Sequence, residues 1–351
     1  MSSISYSASP SKTARINFQR IQAVMFPHWM FWAVPTLLLG LCGLIDLASP
    51  RLSVAHNGYI VVAFWAPLAM LLMAWRYARF ETFDWFLHRL WGVMVLFLWI
   101  NYTINCVALF SHMLLAQNFP LADQTFLAAD RALGLNWTAY AHFMLDNKWA
   151  NVIFSNAYAD LTMGGIMLTP VLALLRNDRI RVMEVCFLML FTAITCVTIS
   201  GFLPAYTATV HYDEIMKLME ADGNRYLGRA IAAMQTLRES PHAVIDPRTS
   251  EGLVCFPSFH CCMALIIWRC NRGLGWFSAV ASIAAITIIA ATPIFGGHYF
   301  VDVMAGGAVS AIAIWIWNTY ISKNVAPCLP GTNLNSYQWP SFFQRFKFTF
   351  N

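Results

Sequence analysis

Long apolar stretches dominate the pattern of hydrophobic and polar positions along this chain. Most of them are close to the roughly 20 residues that a helix needs to cross about 30 Å of hydrocarbon. The sixth is short and starts at Pro257, a residue that suits the first turn of a helix. Only Gly296-Gly297-His298 separates the last two, which must therefore be antiparallel neighbours. The pattern predicts an all-α, polytopic membrane helix bundle of about eight spans, near residues 29–48, 58–76, 89–115, 149–175, 181–203, 257–271, 276–295 and 299–321.

Composition agrees with membrane residence. The chain is 59% hydrophobic and only 11% charged, whereas a soluble domain carries roughly 25% charged residues. The formal net charge of +5 does not indicate a nucleic-acid partner, because the basic residues are scattered over short loops. Nine cysteines, most of them inside apolar runs, do not form a disulfide framework.

The basic residues also predict an orientation. Lysines and arginines recur in the N-terminal segment and in every second connection after it, and cytoplasmic loops of membrane proteins carry such an excess. Both termini are therefore expected in the cytoplasm. The segments expected on the other side are 49–57, 116–148, 204–256 and 296–298. Two of these are long enough to hold structure: residues 120–146 have an amphipathic pattern that suits the membrane interface, and residues 212–239 have the helical spacing of a lid.

Two short motifs are the candidates for chemistry: Phe256-Pro257-Ser258-Phe259-His260 and Gly296-Gly297-His298-Tyr299-Phe300-Val301-Asp302. His298 and Asp302 are four residues apart, so on a helix the carboxylate can reach the imidazole. Such a bond fixes the ring tautomer and makes the other nitrogen more basic. His260 and His298 each begin a span that descends from the same side, so the two rings can share a pocket. The alternative is a His298–Asp302 pair that only ties two helices together.

This pair of motifs resembles the type 2 phosphatidic acid phosphatase superfamily, in particular the branch of fungal inositol phosphorylceramide synthase and related bacterial membrane proteins. Weaker similarities are Asp130-Arg131-Ala132-Leu133-Gly134 and Phe202-Leu203-Pro204-Ala205. The resemblance implies that His298 attacks phosphorus, Asp302 orients it, and His260 protonates the leaving oxygen. It implies a lipid phosphate phosphatase or phosphotransferase that works through a phosphohistidine, with a lipid phosphate as substrate and no cofactor or metal.

The chain departs from the wider superfamily in its phosphate-binding residues. Thr292 stands where an arginine precedes the nucleophile, and the first motif, Lys-x6-Arg-Pro, is missing. Developing negative charge on phosphorus still requires donors. The candidates are Arg248, preferred because it is closest in sequence to His260, together with Arg238, Arg225 and the hydroxyl of Ser258; Lys217 and Arg229 are further basic residues of the same segment.

One further polar residue lies inside a predicted span. Asp160, about eleven residues into the fourth span, is expected to face inward, as a substrate headgroup contact or as a helix contact.

The sequence thus predicts a cytoplasmic N-terminus with two additional spans (1–88), a six-span catalytic core (89–321) and a cytoplasmic tail (322–351). Two other functions remain open. In the first, His260, His298 and Asp302 ligate a metal ion for hydrolysis. In the second, the protein is a transporter or lipid flippase with the histidines as proton relays.

Overall fold

The computed structural model describes residues 24–55, 57–221, 226–247 and 252–322, which are predominantly helical. In chain order the elements are α1 (Trp29–Ala48), β1 (Leu52–Val54), α2 (Gly58–Ala63), α3 (Trp65–Ala78), a 3-10 turn (Phe80–Thr82), α4 (Trp85–Leu115), α5 (Asp123–Ala132), α6 (Trp137–Leu145), α7 (Lys148–Asn156), a π-helical turn (Ala157–Leu161), α8 (Thr162–Leu175), α9 (Arg179–Phe202), a 3-10 turn (Ala208–His211), α10 (Asp213–Ala221), α11 (Tyr226–Glu239), β2 (Ala243–Ile245), α12 (Phe259–Cys270), α13 (Trp276–Phe295), α14 (Phe300–Ile316) and a second π-helical turn (Trp317–Ile321).

Seven helical stretches of this described part are long and apolar enough to cross a membrane. They are α1, α2 with α3, α4, α7 through α8, α9, α13, and α14 with its π-helical turn. The predicted sixth span is present as α12, which has only 12 residues. The fold of an integral, multi-pass, all-α membrane protein is therefore confirmed, with seven full-length helices and one short one.

Burial separates the helices at the centre of the bundle from those at its edge. In the most apolar stretches of α4 and α9, 61% and 67% of the residues are buried. In α1, and in α2 with α3, only 17% are buried. The first two spans pack mainly against α4. Helix α12 packs against α8, α9, α13 and α14, so this short helix is surrounded by four others.

The two ends of the bundle differ in chemistry. At one end the buried carboxylate of Glu184 accepts from Arg181 at 3.0 Å and from Arg269 at 2.9 Å. Arg269 also donates to Asn318. This network joins α9, α12 and the turn after α14. Breaking such a buried pair by removing one partner is costly because it leaves an uncompensated charge.

The other end, at which α12 and α14 begin, is called here the histidine end. It is covered by α5, α6, α10 and α11, which form where amphipathic spacing predicts them. The strands β1 and β2 pair in parallel, with Leu52 opposite Ala243, and Arg51 donates to the carbonyls of Arg238 and Ser240. Segments 49–57 and 204–256, which the sequence places on one side of the membrane, therefore join at this end.

Candidate active site

The two motifs meet at the histidine end through the residues that begin α12 and α14. The Ser258 hydroxyl lies 3.3 Å from Nε2 of His298, and the Ser258 amide donates to the Asp302 carbonyl at 3.0 Å. The approach depends on Gly306, because a Cβ on this residue would lie 2.4 Å from the Ser258 carbonyl oxygen. Ser258 also caps α12, with its hydroxyl accepting from the Cys261 amide.

Asp302 fixes the imidazole of His298. Its Oδ2 lies 3.2 Å from Nδ1 of His298 and accepts the Tyr299 amide at 2.9 Å. His298 is 2% exposed and Asp302 is fully buried. A carboxylate at Nδ1 places the ring proton there and leaves Nε2 unprotonated, as an acceptor for the Ser258 hydroxyl. The nitrogen that faces Ser258 is therefore the one equipped to act as a nucleophile.

The thiol of Cys255 also binds the Asp302 carboxylate. The Cys255 thiol donates to the same Oδ2 at 3.2 Å. Burial, together with the neighbouring carboxylate, raises the pKa of Cys255, so the thiol keeps its proton and remains a donor. In the sequence, Cys255 directly precedes the first histidine motif. Its contact with Asp302, 47 positions later in the chain, depends on the folded structure.

His260 is held by a residue that the sequence analysis did not select. The Tyr158 hydroxyl lies 3.1 Å from Nδ1 of His260, and the two rings stack with centroids 4.0 Å apart. Tyr158 lies in the π-helical turn between α7 and α8, a distortion that is frequent at functional sites. No sequence pattern identifies this turn. Like Nδ1 of His298, Nδ1 of His260 is engaged, which leaves Nε2 of His260 for chemistry.

The turn before α14 lies between the rings of His298 and Tyr158. A Cβ on Gly296 would lie 2.7 Å from Cδ2 of His298 and 2.8 Å from Cε2 of Tyr158. The His298 and Tyr158 rings therefore lie on either side of Gly296. The Tyr158 ring in turn stacks on His260. Gly297 follows with φ +64, a conformation that favours glycine. Its absent side chain would approach Thr207 and Leu227 to within 3.1 Å.

The comparisons with known proteins agree with this geometry. The sequence model of the PAP2 superfamily matches residues 124–316, which is more than half of the chain. The chain belongs to the PAP2 superfamily. It has no significant match among curated proteins or among solved structures. Members of the PAP2 superfamily are phosphoesterases or phosphotransferases, which supports an enzyme of that general type with lipid phosphates as substrates.

The basic residues proposed for phosphate binding in this PAP2 protein have different locations. Arg225 and Arg248 lie outside the described residues. Arg238 is buried at the end of α11, where it donates to the Phe119 carbonyl rather than to the histidine pair. Lys217 and Arg229 line an open cleft between α10 and α11. Thr292 donates to the Ile288 carbonyl of its own helix and so takes the place of the superfamily arginine without replacing its charge.

The described residues that flank Arg225 and Arg248 in the chain lie near the site. The Tyr226 hydroxyl donates to the Gly252 carbonyl at 3.0 Å, which joins the start of α11 to the approach to α12. Leu227 packs against Gly297. Arg225 immediately precedes Tyr226, and Arg248 lies four residues before Gly252.

Asp160 does not have the orientation expected from the sequence. It is exposed, so the expectation that it faces inward is wrong. Tyr158, two residues earlier, faces α12, and residues two apart do not share a helix face. The π-helical turn that aims Tyr158 at His260 therefore aims Asp160 outward.

One group of three potential metal ligands lies close together within the described part of the chain. Cys255, His298 and Asp302 place their ligand atoms within 4.8 Å of one another, and all three are buried. This set contains Cys255 instead of His260, so it differs from the ligand set that the sequence left open. Hydrogen bonds to Asp302 join the three side chains directly.

Proposed function

We propose that this PAP2 protein transfers a phosphoryl group from a lipid-linked phosphate, through a phosphohistidine on His298, to water or to an alcohol. The observation that carries the proposal is the pair of contacts on one imidazole: Asp302 at Nδ1 and Ser258 at Nε2. Both nitrogens have fixed environments, so the ring can neither flip nor exchange tautomers without losing a buried hydrogen bond. This arrangement suits a nucleophile oriented by a third group.

In the first step the Nε2 lone pair of His298 forms a bond to phosphorus, and the bond from phosphorus to the lipid oxygen breaks. His260 in its protonated form gives a proton to that oxygen, which would otherwise leave as an alkoxide. The imidazole of His298 becomes positively charged as the bond forms. The Asp302 carboxylate compensates this charge across the Nδ1 contact.

In the second step His260, now neutral, accepts a proton from the incoming water or alcohol. The oxygen attacks phosphorus, the bond from Nε2 to phosphorus breaks, and His298 is regenerated. Water yields inorganic phosphate and defines a phosphatase, whereas an alcohol such as inositol or a sphingolipid yields a new phosphate ester. Both outcomes use the same residues, and no metal ion takes part in either step.

The phosphoryl oxygens need donors in both steps. Ser258 is placed to supply one, since its hydroxyl already lies at Nε2 of His298, where phosphorus must approach. Arg225 and Arg248 are the proposed cations, because their described neighbours Tyr226 and Gly252 are joined beside the site. Arg238 is not retained in this role, since it binds the Phe119 carbonyl. Asp160 would contact a headgroup only from the exposed side of its helix.

The same proposal includes the membrane arrangement. Residues 89–321 form the catalytic core, 1–88 add two spans and the N-terminus, and 322–351 form the tail. Both termini lie in the cytoplasm and the histidine end lies on the opposite side, as the basic residues indicate. Within the superfamily, the branch of inositol phosphorylceramide synthase is the proposed placement, because Pro257-Ser258-Phe259-His260 and Gly297-His298-Tyr299 fit it while the upstream arginine is absent.

The test is a screen of lipid phosphates and diphosphates with detergent-purified protein, with and without alcohol acceptors. We expect phosphate release or ester formation, and an acid-labile phosphoprotein with wild-type protein. His298→Gln should remove the phosphoprotein and lower turnover by several powers of ten. His142→Gln, an exposed histidine of α6, is the matched control.

Three results would contradict the proposal. Activity of His298→Gln above roughly 1% of wild type would exclude a nucleophilic His298. Loss of activity with chelators, restored by a metal ion, would favour metal-assisted hydrolysis. Lipid movement across vesicles without any phosphate release would favour a transporter or flippase.

A further inference from the structure

The segment from His298 to Asp302 is held by hydrogen bonds to α5, a helix that contributes no group to the proposed chemistry. Helix α14 begins inside this segment, and the first amides of any helix lack partners within the helix. The Phe300 and Val301 amides donate to Oδ2 and Oδ1 of Asp130, each at 2.9 Å. One carboxylate from α5, far away in sequence, thus caps the helix that carries Asp302.

A second carboxylate of α5, that of Asp123, binds Tyr299, the residue just before Phe300. Asp123 and Asp130 are seven residues apart, two helical turns, and so share a face of α5. Asp123 accepts the Tyr299 hydroxyl at 2.9 Å and the Tyr206 amide. Burial and the nearby Asp123 raise the pKa of Tyr299, so its hydroxyl stays protonated and donates. The two aspartates thereby bind three consecutive residues between His298 and Asp302.

The backbone carbonyls of the turn are fastened as well. The Trp137 indole donates to the His298 carbonyl at 3.1 Å, and the Ala208 amide donates to the Gly297 carbonyl at 2.7 Å. Every residue from Gly297 to Val301 therefore has a hydrogen-bond partner outside the turn. Asp130 is the strongest of these anchors, because it is 2% exposed and binds two amides at the positive end of a helix dipole.

We infer that Asp130 is a positioning residue, which sets the start of α14 so that His298 and Asp302 have the mutual orientation needed for attack on phosphorus. This inference rests on the proposed function. Asp130 forms hydrogen bonds with neither His298 nor Asp302, and acts on them only through the Phe300 and Val301 amides. If the cap is lost, the first turn of α14 can shift, and a shift of about 1 Å at a reacting group costs on the order of a hundredfold in rate.

The experiment compares Asp130→Ala and Asp130→Asn with wild type in detergent, with rates divided by the folded fraction from thermal unfolding. Alanine removes both acceptors, and asparagine retains one oxygen. We expect kcat to fall about 100-fold for alanine and about tenfold for asparagine, with KM within about threefold. Asp146→Asn, an exposed aspartate at the end of α6, is the matched control and should leave kcat unchanged.

A readout without turnover keeps the inference separate from the proposed function. The proton on Nδ1 of His298, hydrogen-bonded to Asp302, should give a downfield proton resonance in wild type that broadens or disappears in Asp130→Ala. Amides 300 and 301 should exchange with deuterium faster in the same variant. If wild type forms no phosphohistidine, the proposed function fails, but these two signals still decide the positioning role.

The positioning role is overturned if Asp130→Ala keeps wild-type kcat, or if its loss only follows the unfolded fraction. It is also overturned if KM rises while kcat is preserved, or if the Nδ1 resonance is unchanged in Asp130→Ala.

Discussion

The Ser258 hydroxyl and Nε2 of His298 lie 3.3 Å apart, although the two residues are 40 positions apart in the chain. With the ring proton at Nδ1, the hydroxyl is the donor and Nε2 the acceptor. The serine thus occupies the place at which a phosphoryl group must arrive. When it does, the hydroxyl can turn from nitrogen to a phosphoryl oxygen without moving its backbone, which the Asp302 carbonyl holds.

Ser258→Ala should therefore lower kcat/KM by roughly 10- to 100-fold while the phosphohistidine still forms, because one donor to the phosphoryl oxygens is lost. Loss of the α12 cap adds about 1 kcal/mol of destabilisation. Ser310→Ala, which removes a buried hydroxyl within α14, is the control for the loss of a buried hydroxyl as such. An unchanged kcat/KM in Ser258→Ala would exclude the serine from phosphate binding.

Asp302→Asn and Asp302→Ala separate the charge of Asp302 from its geometry. Asparagine can keep an oxygen at the Oδ2 position, so the His298 ring stays oriented but loses its compensating charge. We expect a fall in kcat of about 100-fold for asparagine and a further tenfold for alanine, which also frees the ring. The rate of phosphohistidine formation, measured by rapid quench, should follow the same order. Equal rates for the two variants would show that only the charge matters.

Tyr158→Phe should impair His260 selectively, because phenylalanine keeps the stacked ring and loses the hydroxyl at Nδ1. A general acid matters most when the leaving group is poor. We expect turnover of an alkyl phosphate to fall about tenfold, and turnover of an activated aryl phosphate by less than about threefold. Tyr140→Phe removes a hydroxyl that binds the Ala290 carbonyl and should affect both substrates equally. Equal losses in Tyr158→Phe would remove Tyr158 from the acid step.

Gly306→Ala tests the close approach of α12 to α14. The added methyl group would meet the Ser258 carbonyl at 2.4 Å, so one helix has to move. The free energy of unfolding should fall by about 1–3 kcal/mol, the usual cost of overpacking, and activity should fall with the displaced serine. Gly307→Ala is the adjacent control, with nothing within 4 Å of the added atom. Thermal unfolding in detergent should distinguish them, and equal midpoints would contradict the contact.

Local patterns predicted much of this arrangement. The spacing of His298 and Asp302 predicted their contact, and the contact is present. The predicted geometry was wrong, because α14 begins at Phe300 and Asp302 reaches back from its first turn to His298 in the turn before it. Long apolar runs predicted the spans, since the bilayer sets their length. Asp160 shows where local reasoning fails: its direction depends on a π-helical turn that adds a residue to the helix and rotates everything after it. The sequence analysis also missed Tyr158. Aromatic residues are common within spans, and only the π-helical turn directs Tyr158 toward His260.

The basic residues predicted to bind phosphate show a different limit. Arg238 has the positive charge that phosphate binding needs, but its guanidinium donates a hydrogen bond to the Phe119 carbonyl instead. A charge in a loop has many potential partners, and only the folded chain selects one. The anchors on α5 could not be foreseen either, since Asp130 and Phe300 are separated by 170 positions.

The sequence alone determined the membrane-spanning helices, the two histidine motifs and the superfamily, because hydrophobic length and i,i+4 spacing act within a few residues. The tertiary structure decided which groups surround the histidines: Ser258 at Nε2 of His298, Cys255 beside Asp302, Tyr158 on His260, and Asp130 at the start of α14. These contacts join distant segments. They depend on how helices pack and where loops return, and no short pattern in the chain contains that information.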